Sequence, residues 1–224
     1  MTWRRLLVAE ALKLVTLPPV WWASLGTLAV SVCFAALAAW TASTGGGFLG
    51  ATDAPSFAGL LNQTGSVLAL GAATVGVLAM STEYDDGQIA ATLLAAPRRG
   101  HLLAAKAVCA GLLIAGVVVG ALAAVALGAS HWLEVSAGRP VAALGATAWF
   151  IGLMGWALAV VARGGAAPLA VIATLVAIAP AVVAATTLPQ AILPTSGPAS
   201  GAGWALAAFA VAALVARRDG FNSR

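Results

Sequence analysis

Charged side chains are scarce in this sequence. Only 8% of its 224 residues are Asp, Glu, Lys or Arg, where soluble domains carry about 25%. Eleven basic and seven acidic groups cannot cover a soluble fold of this length. That excludes an ordinary soluble enzyme. The 62% hydrophobic content equally excludes a disordered chain, which needs the opposite composition. Cysteine is as rare. Cys33 and Cys109 are too few for a disulfide-stapled miniprotein. Both fall in apolar runs, where they read as small buried hydrophobes. Histidine occurs twice, as His101 and His131, in polar segments at opposite ends of one apolar run. They do not form the clustered His and acid ligands of a metalloprotease. Nor does either supply a base for a serine nucleophile at mid-span. A Gly-x-x-x-x-Gly-Lys-[Ser/Thr] phosphate loop is missing, so the chain has no cradle for ATP of its own. Gly45-Gly46-Gly47-Phe48-Leu49-Gly50 lacks the lysine and reads as a flexible loop. The basic pI of 9.8 would ordinarily point to nucleic acid. Here it comes from a net charge of only +4, and no nucleic-acid partner is expected.

What the sequence has instead is long uncharged runs, with a mean hydropathy of +1.00. A helix needs about 20 apolar residues to cross a hydrocarbon core of about 30 Å. The run between Lys13 and Asp53, trimmed by Pro18-Pro19 and the triple glycine, holds one span at about 20–42. Asp53 to Glu83 holds one at 58–81, Lys106 to Glu134 one at 104–128, and Arg139 to Arg163 one at 141–162. Arg163 to Arg217 is long enough for two, at 166–186 and 201–216, joined by a proline-bearing hairpin at 187–200. The expectation is an all-α polytopic membrane protein: one domain over 1–224, six transmembrane helices, both termini on one side. Pro180 should kink the fifth span. Gly116-x-x-x-Gly120 and Ala72-x-x-x-Gly76 permit close helix contact.

Charge then sets the orientation. With the termini inside, ten of the eleven Lys and Arg face the cytoplasm and only Arg139 faces out. This is a strong positive-inside pattern. Trp21 and Trp22 at the inner end of the first span, and Trp40, Trp132 and Trp204 at outer ends, suit interfacial belts. No span has an ionisable residue at its centre, which argues against an ion-coupled carrier and for a neutral pathway. Asn62, Gln63, Thr64 and Thr74 in span two either line that pathway or serve as interface and interhelical groups.

Two segments outside the spans carry information. Residues 2–17 form an amphipathic pattern, with Trp3, Leu6, Leu7, Leu14 and Leu17 on one arc. Such a helix lies in the headgroup plane. Glu10 projects into the middle of that apolar arc. Either it bends to the headgroups or pairs weakly with Lys13, or it is held between protein elements and meets a cytoplasmic Arg or Lys, because an unpaired buried carboxylate is costly. The second segment runs from Ser81 to Gly100. It has polar start signals, Ile89 and Leu93 at i,i+4, and a Pro97-Arg98-Arg99-Gly100 stop. Asp85 and Asp86 near its start and Arg98 and Arg99 near its end complement a helix dipole. This short helix either docks another protein or joins two spans along the membrane.

The pattern Glu83-Tyr84 … Gly87 … Thr92-Leu93-Leu94 … Pro97-Arg98-Arg99 … Ala105-Lys106 resembles that of ATP-binding-cassette (ABC) type-2 export permeases, especially small six-span actinobacterial ones. Glu10-x-x-Lys13-Leu14 followed by Trp21-Trp22 resembles the opening of the same family. Gln88, where the family has Thr, and the acidic pair Asp85-Asp86 are departures. The resemblance implies a permease that dimerises with a second copy or a paralogue to enclose a pathway. Two separate ABC ATPase subunits, which hold ATP and magnesium, would seat residues 83–97 as a coupling helix. This chain would itself bind no cofactor and no metal and would not be an enzyme. The contacting residues would be Glu83, Tyr84, Asp85, Asp86, Gly87, Ile89, Leu93, Pro97, Arg98 and Arg99. Glu10 and Lys13 would belong to an elbow helix packed beside them. The setting implied is a bacterial plasma membrane, with a hydrophobic or amphipathic cargo. The competing expectation is a six-span channel, lipid-interacting carrier or assembly scaffold that needs no ATPase.

Overall fold

A computed structural model describes residues 3–43, 57–85, 99–130, 138–185 and 189–221, and all of the regular structure in them is helical. Helix α1 covers Trp3–Thr16, α2 Pro18–Ser43, α3 Phe57–Asp85, α4 Arg99–Ala129 and α5 Arg139–Ala162. Then come α6 (Ala166–Ala173), a π turn (Thr174–Ile178), α7 (Ala179–Ala184), two 3-10 turns (Gln190–Ile192 and Pro194–Ser196) and α8 (Pro198–Phe221). Five helices among the described residues, α2, α3, α4, α5 and α8, are long and apolar enough to cross a membrane. They correspond to five of the six expected spans, and the chain fits a membrane-embedded protein.

The remaining expected span, 166–186, is not one regular α-helix. Its register widens to a π turn at Thr174–Ile178, immediately ahead of Pro180. Proline has no N–H to give the carbonyl four residues earlier, and its ring crowds that carbonyl. The wider turn absorbs the misfit, so the kink expected at Pro180 takes the form of a π segment upstream of it. Prolines act differently at the first turn. Pro18 and Pro19 open α2, where a missing N–H costs nothing, and Leu17 just before them leaves the helix. That single break separates α1 from the first span. Arg163 ends α5 in the left-handed conformation (φ 55°), and its N–H reaches the Ala159 carbonyl.

Helices α3 and α5 form the centre, with their most extensive contact to each other. Their apolar stretches are 67% and 61% buried, against 33% for α2 and 22% for α8, which therefore sit outermost. Apolar burial barely drives helix association in lipid, so close packing of small residues has to do it. A Cβ added to Gly76 of α3 would overlap the Gly152 carbonyl oxygen of α5. One on Gly155 would come within 2.9 Å of the Ala73 carbonyl oxygen. The Ala72-x-x-x-Gly76 pair thus lies on the α3–α5 seam. A methyl group on Gly116 would meet nothing within 4 Å, whereas one on Gly120 would touch the Leu28 side chain of α2, so the two glycines do not share a close helix contact among the described residues. Trp149 Nε1 donates to the Gly111 carbonyl (2.8 Å), and Trp156 stacks on Phe209 with centroids 5.4 Å apart, tying α4 and α8 to α5.

The threonines of span two satisfy themselves. Thr64 donates to the Leu60 carbonyl and Thr74 to the Leu70 carbonyl, both in their own helix. The side chains of Asn62 and Gln63 lie outside the described residues. Cys109 is buried as expected, but Cys33 is exposed on the outer helix α2; both are free thiols. Hairpin 187–200 is described from Pro189, where Ser196 and Ser200 both donate to the Leu193 carbonyl and Trp204 Nε1 to that of Ile192.

The seam predicts opposite effects for two glycines. Gly76→Ala should destabilise the fold by about 1–3 kcal/mol, because the Gly152 backbone cannot move aside as a side chain could. Gly116→Ala should leave stability unchanged or raise it by up to ~1 kcal/mol through helix propensity. Thermal unfolding of both variants in detergent checks this.

Candidate functional site: a buried four-charge cluster

Among the described residues, charge collects at the end of the bundle where α3 finishes and α4 begins. Four side chains from three helices meet there. Lys106 Nζ, two turns into α4, donates to Glu10 Oε2 of α1 at 2.7 Å and to Glu83 Oε1 of α3 at 2.5 Å. Lys13 Nζ of α1 donates to the same Glu83 oxygen at 2.9 Å. The Glu10, Glu83 and Lys106 side chains are each less than one-tenth exposed, and Lys13 is 26% exposed. Two ammonium groups face two carboxylates, so the formal charge of the cluster is zero. Glu83 Oε2 is buried without a hydrogen-bond partner among the described residues.

Local geometry explains the assembly. Glu10 and Leu14 are one helical turn apart, so both face the bundle. Lys13 is three residues from Glu10 and lies at the edge of the same face. Glu83 comes from the last turn of α3, and the next residue ties that turn down: Tyr84 Oη donates to the Val160 carbonyl of α5 (3.3 Å). Further contacts seat α1 on α4. Cys109 Sγ lies 3.5 Å from the Leu7 carbonyl, and Trp3 meets His101 edge-on at 6.3 Å. Within the apolar arc expected over residues 2–17, Leu7, Leu14 and Leu17 therefore pack against the bundle, while Trp3 stays 42% exposed. This corrects the expectation for that arc, and it decides between the two readings of Glu10: the carboxylate is held between elements and meets Lys106.

Of the residues expected to form a coupling site, the structure brings Glu83 to Glu10 and Lys13 and places Tyr84 beside them. Asp85 ends α3 and Arg99 begins α4, with their side chains outside the description. Asp86, Gly87, Ile89, Leu93, Pro97 and Arg98 lie outside the described residues. Lys106 is the residue that sequence reasoning underrates, placing it only in the Ala-Lys element and giving it no partner. Its signal is a lone ammonium inside the span expected at 104–128, which has to find carboxylates.

Among the described residues no three His, Cys, Asp or Glu stand together as metal ligands. At the opposite end of α3, a shallow groove of about 200 Å³ is lined by Leu61, Leu144, Thr147, Thr195 and Pro198. The Thr147 hydroxyl is already spent on the Ala143 carbonyl. No model of a known protein family matches the chain, and no curated protein sequence does either.

Removing one member of a buried ion cluster strands the others, typically at 3–5 kcal/mol. Lys106→Met should therefore destabilise strongly, by about 3 kcal/mol or more. Adding Glu10→Gln should recover part of the loss, since Glu83 keeps Lys13. Unfolding midpoints of the two single variants and the double variant test this; strict additivity would contradict the cluster.

Proposed function

We propose that the chain is the permease subunit of an ATP-driven ABC exporter. The observation that carries the reading is the convergence of the cluster. Its four charges come from motif pieces read separately: Glu10 and Lys13 from the opening, Glu83 from the Glu-Tyr pair, Lys106 from the Ala-Lys element. Chain separations of up to 96 positions give no local reason for them to meet. A transmission point at the base of the pathway gives one. The cluster clamps both ends of the segment between α3 and α4 to α1. A push on that segment would move the three helices together.

In this reading residues 83–97 are the coupling helix and α1 is the elbow. Two ATPase subunits, loaded with ATP and magnesium, dock on the cytoplasmic face of a twelve-span pair. Residues 166–186 form the fifth of six spans, and both termini are cytoplasmic in a bacterial plasma membrane. The cargo is hydrophobic or amphipathic, in keeping with the Thr64 and Thr74 hydroxyls, which bond to their own helix.

The neighbouring open reading frame should encode a phosphate-loop ATPase, and the wild-type chain should co-purify with it and stimulate its ATP turnover. Glu83→Lys should abolish both. It also disrupts the cluster, so Ile89→Asp, which leaves all four charges in place, separates docking from folding and should abolish recruitment alone. Glu10→Ala should weaken assembly more than Glu134→Ala. Full recruitment by Ile89→Asp, or no ATPase with the wild type, would return the chain to the reading as a channel, lipid carrier or scaffold.

A further inference from the structure

Helix α1 has two apolar faces, and the bundle uses only one. Opposite the buried Glu10 and Leu14, the side chains of Val8, Leu12 and Val15 are 58%, 61% and 56% exposed. On a 3.6-residue helix these three fill an arc of about 60°, and Arg4 and Arg5 lie about 20° beyond its two edges. Both arginines are exposed, and neither joins an ion pair among the described residues. The first turn of α1 also lacks an acidic residue. Two positive charges thus stand where the helix's own N–H groups already favour an anion. Indoles border the stripe at its C-terminal end, where Trp21 donates its Nε1 to the Val15 carbonyl beside the 75% exposed Trp22.

We propose that this outward face of α1 is a binding surface for anionic lipid. Val8, Leu12 and Val15 sink among acyl chains. Arg4 and Arg5 lay their apolar stems along the stripe edges and raise their guanidinium groups to headgroup phosphates. The Trp21 and Trp22 indoles sit at the same depth, where amphipathic rings concentrate. Charges that flank the stripe without interrupting it suit a lipid surface, and two uncompensated cations select lipids with net negative charge. The α1 register explains why both faces are needed: the Glu10 arc is consumed by the bundle, so membrane contact falls to the other. The inference stands on α1 alone and does not rest on the ATPase reading.

The test uses the full chain, exchanged into nanodiscs that mix phosphatidylcholine with phosphatidylglycerol. Native mass spectrometry reads the ratio of the two lipids retained on the protein. The wild type should retain phosphatidylglycerol preferentially. Arg4→Gln with Arg5→Gln should lower that preference about 30-fold, about fivefold for each arginine. Arg4→Lys with Arg5→Lys should keep most of it. All four substitutions are at exposed positions and should leave the unfolding midpoint unchanged. An unselective wild type, an unchanged ratio in the glutamine variant, or an equal loss in the lysine variant would overturn the proposal. So would loss of a dimer with unaltered lipid retention, which would assign this face to a second copy.

Discussion

A lysine two turns inside an apolar helix cannot leave its charge in lipid, and the fold at that end of the bundle is arranged around that fact. Lys106 is 5% exposed and has a carboxylate on each side, from α1 and from α3. Each of those carboxylates would be as costly alone as the ammonium they share. Neither helix can therefore leave α4 without stranding a charge. The remaining ammonium, on Lys13, brings the cluster to neutrality and adds a second link between α1 and α3. Such a cluster contributes little net stability over well-packed apolar residues, but it penalises every wrong register. Its value lies in specifying which helices stay together at that end of the bundle.

The rest of the bundle is held by a different means. Between α3 and α5 the contact is backbone against backbone, with Gly76, Gly152 and Gly155 allowing the approach. In lipid such proximity replaces the hydrophobic drive that a soluble core would use. The two devices meet at Tyr84, one residue from Glu83, whose hydroxyl reaches the last turns of α5. The cluster is thereby linked to the most buried seam of the molecule, while α2 and α8 keep their apolar faces turned outward.

Much of this was legible from charge spacing. Uncharged runs long enough to span located α2, α3, α4, α5 and α8, and Pro18-Pro19 located the break after α1. The span at 166–186 was less legible, because hydropathy does not register the lost hydrogen bond at Pro180. What periodicity could not tell was protein from lipid, since both are apolar. The arc of Leu7 and Leu14 looked lipid-facing and turned out to face the bundle. Cys33 looked buried and faces outward. Glu10 was the one visible clue to the true register, as a carboxylate that lipid would not accept. Its partner was hidden by distance along the chain, because no spacing rule joins residues 10 and 106.

The cluster is the clamp that holds α1 to α3 and α4. Backbone hydrogen exchange along α1, compared between the wild type and Glu10→Gln, tests this most directly. Loss of the ion pair should release the helix locally, so the amides of residues 7–16 should exchange about 10–100-fold faster while those of α3 and α5 keep their protection. Unchanged protection across α1 would mean that apolar contacts alone hold the helix, and the clamp would have to be abandoned.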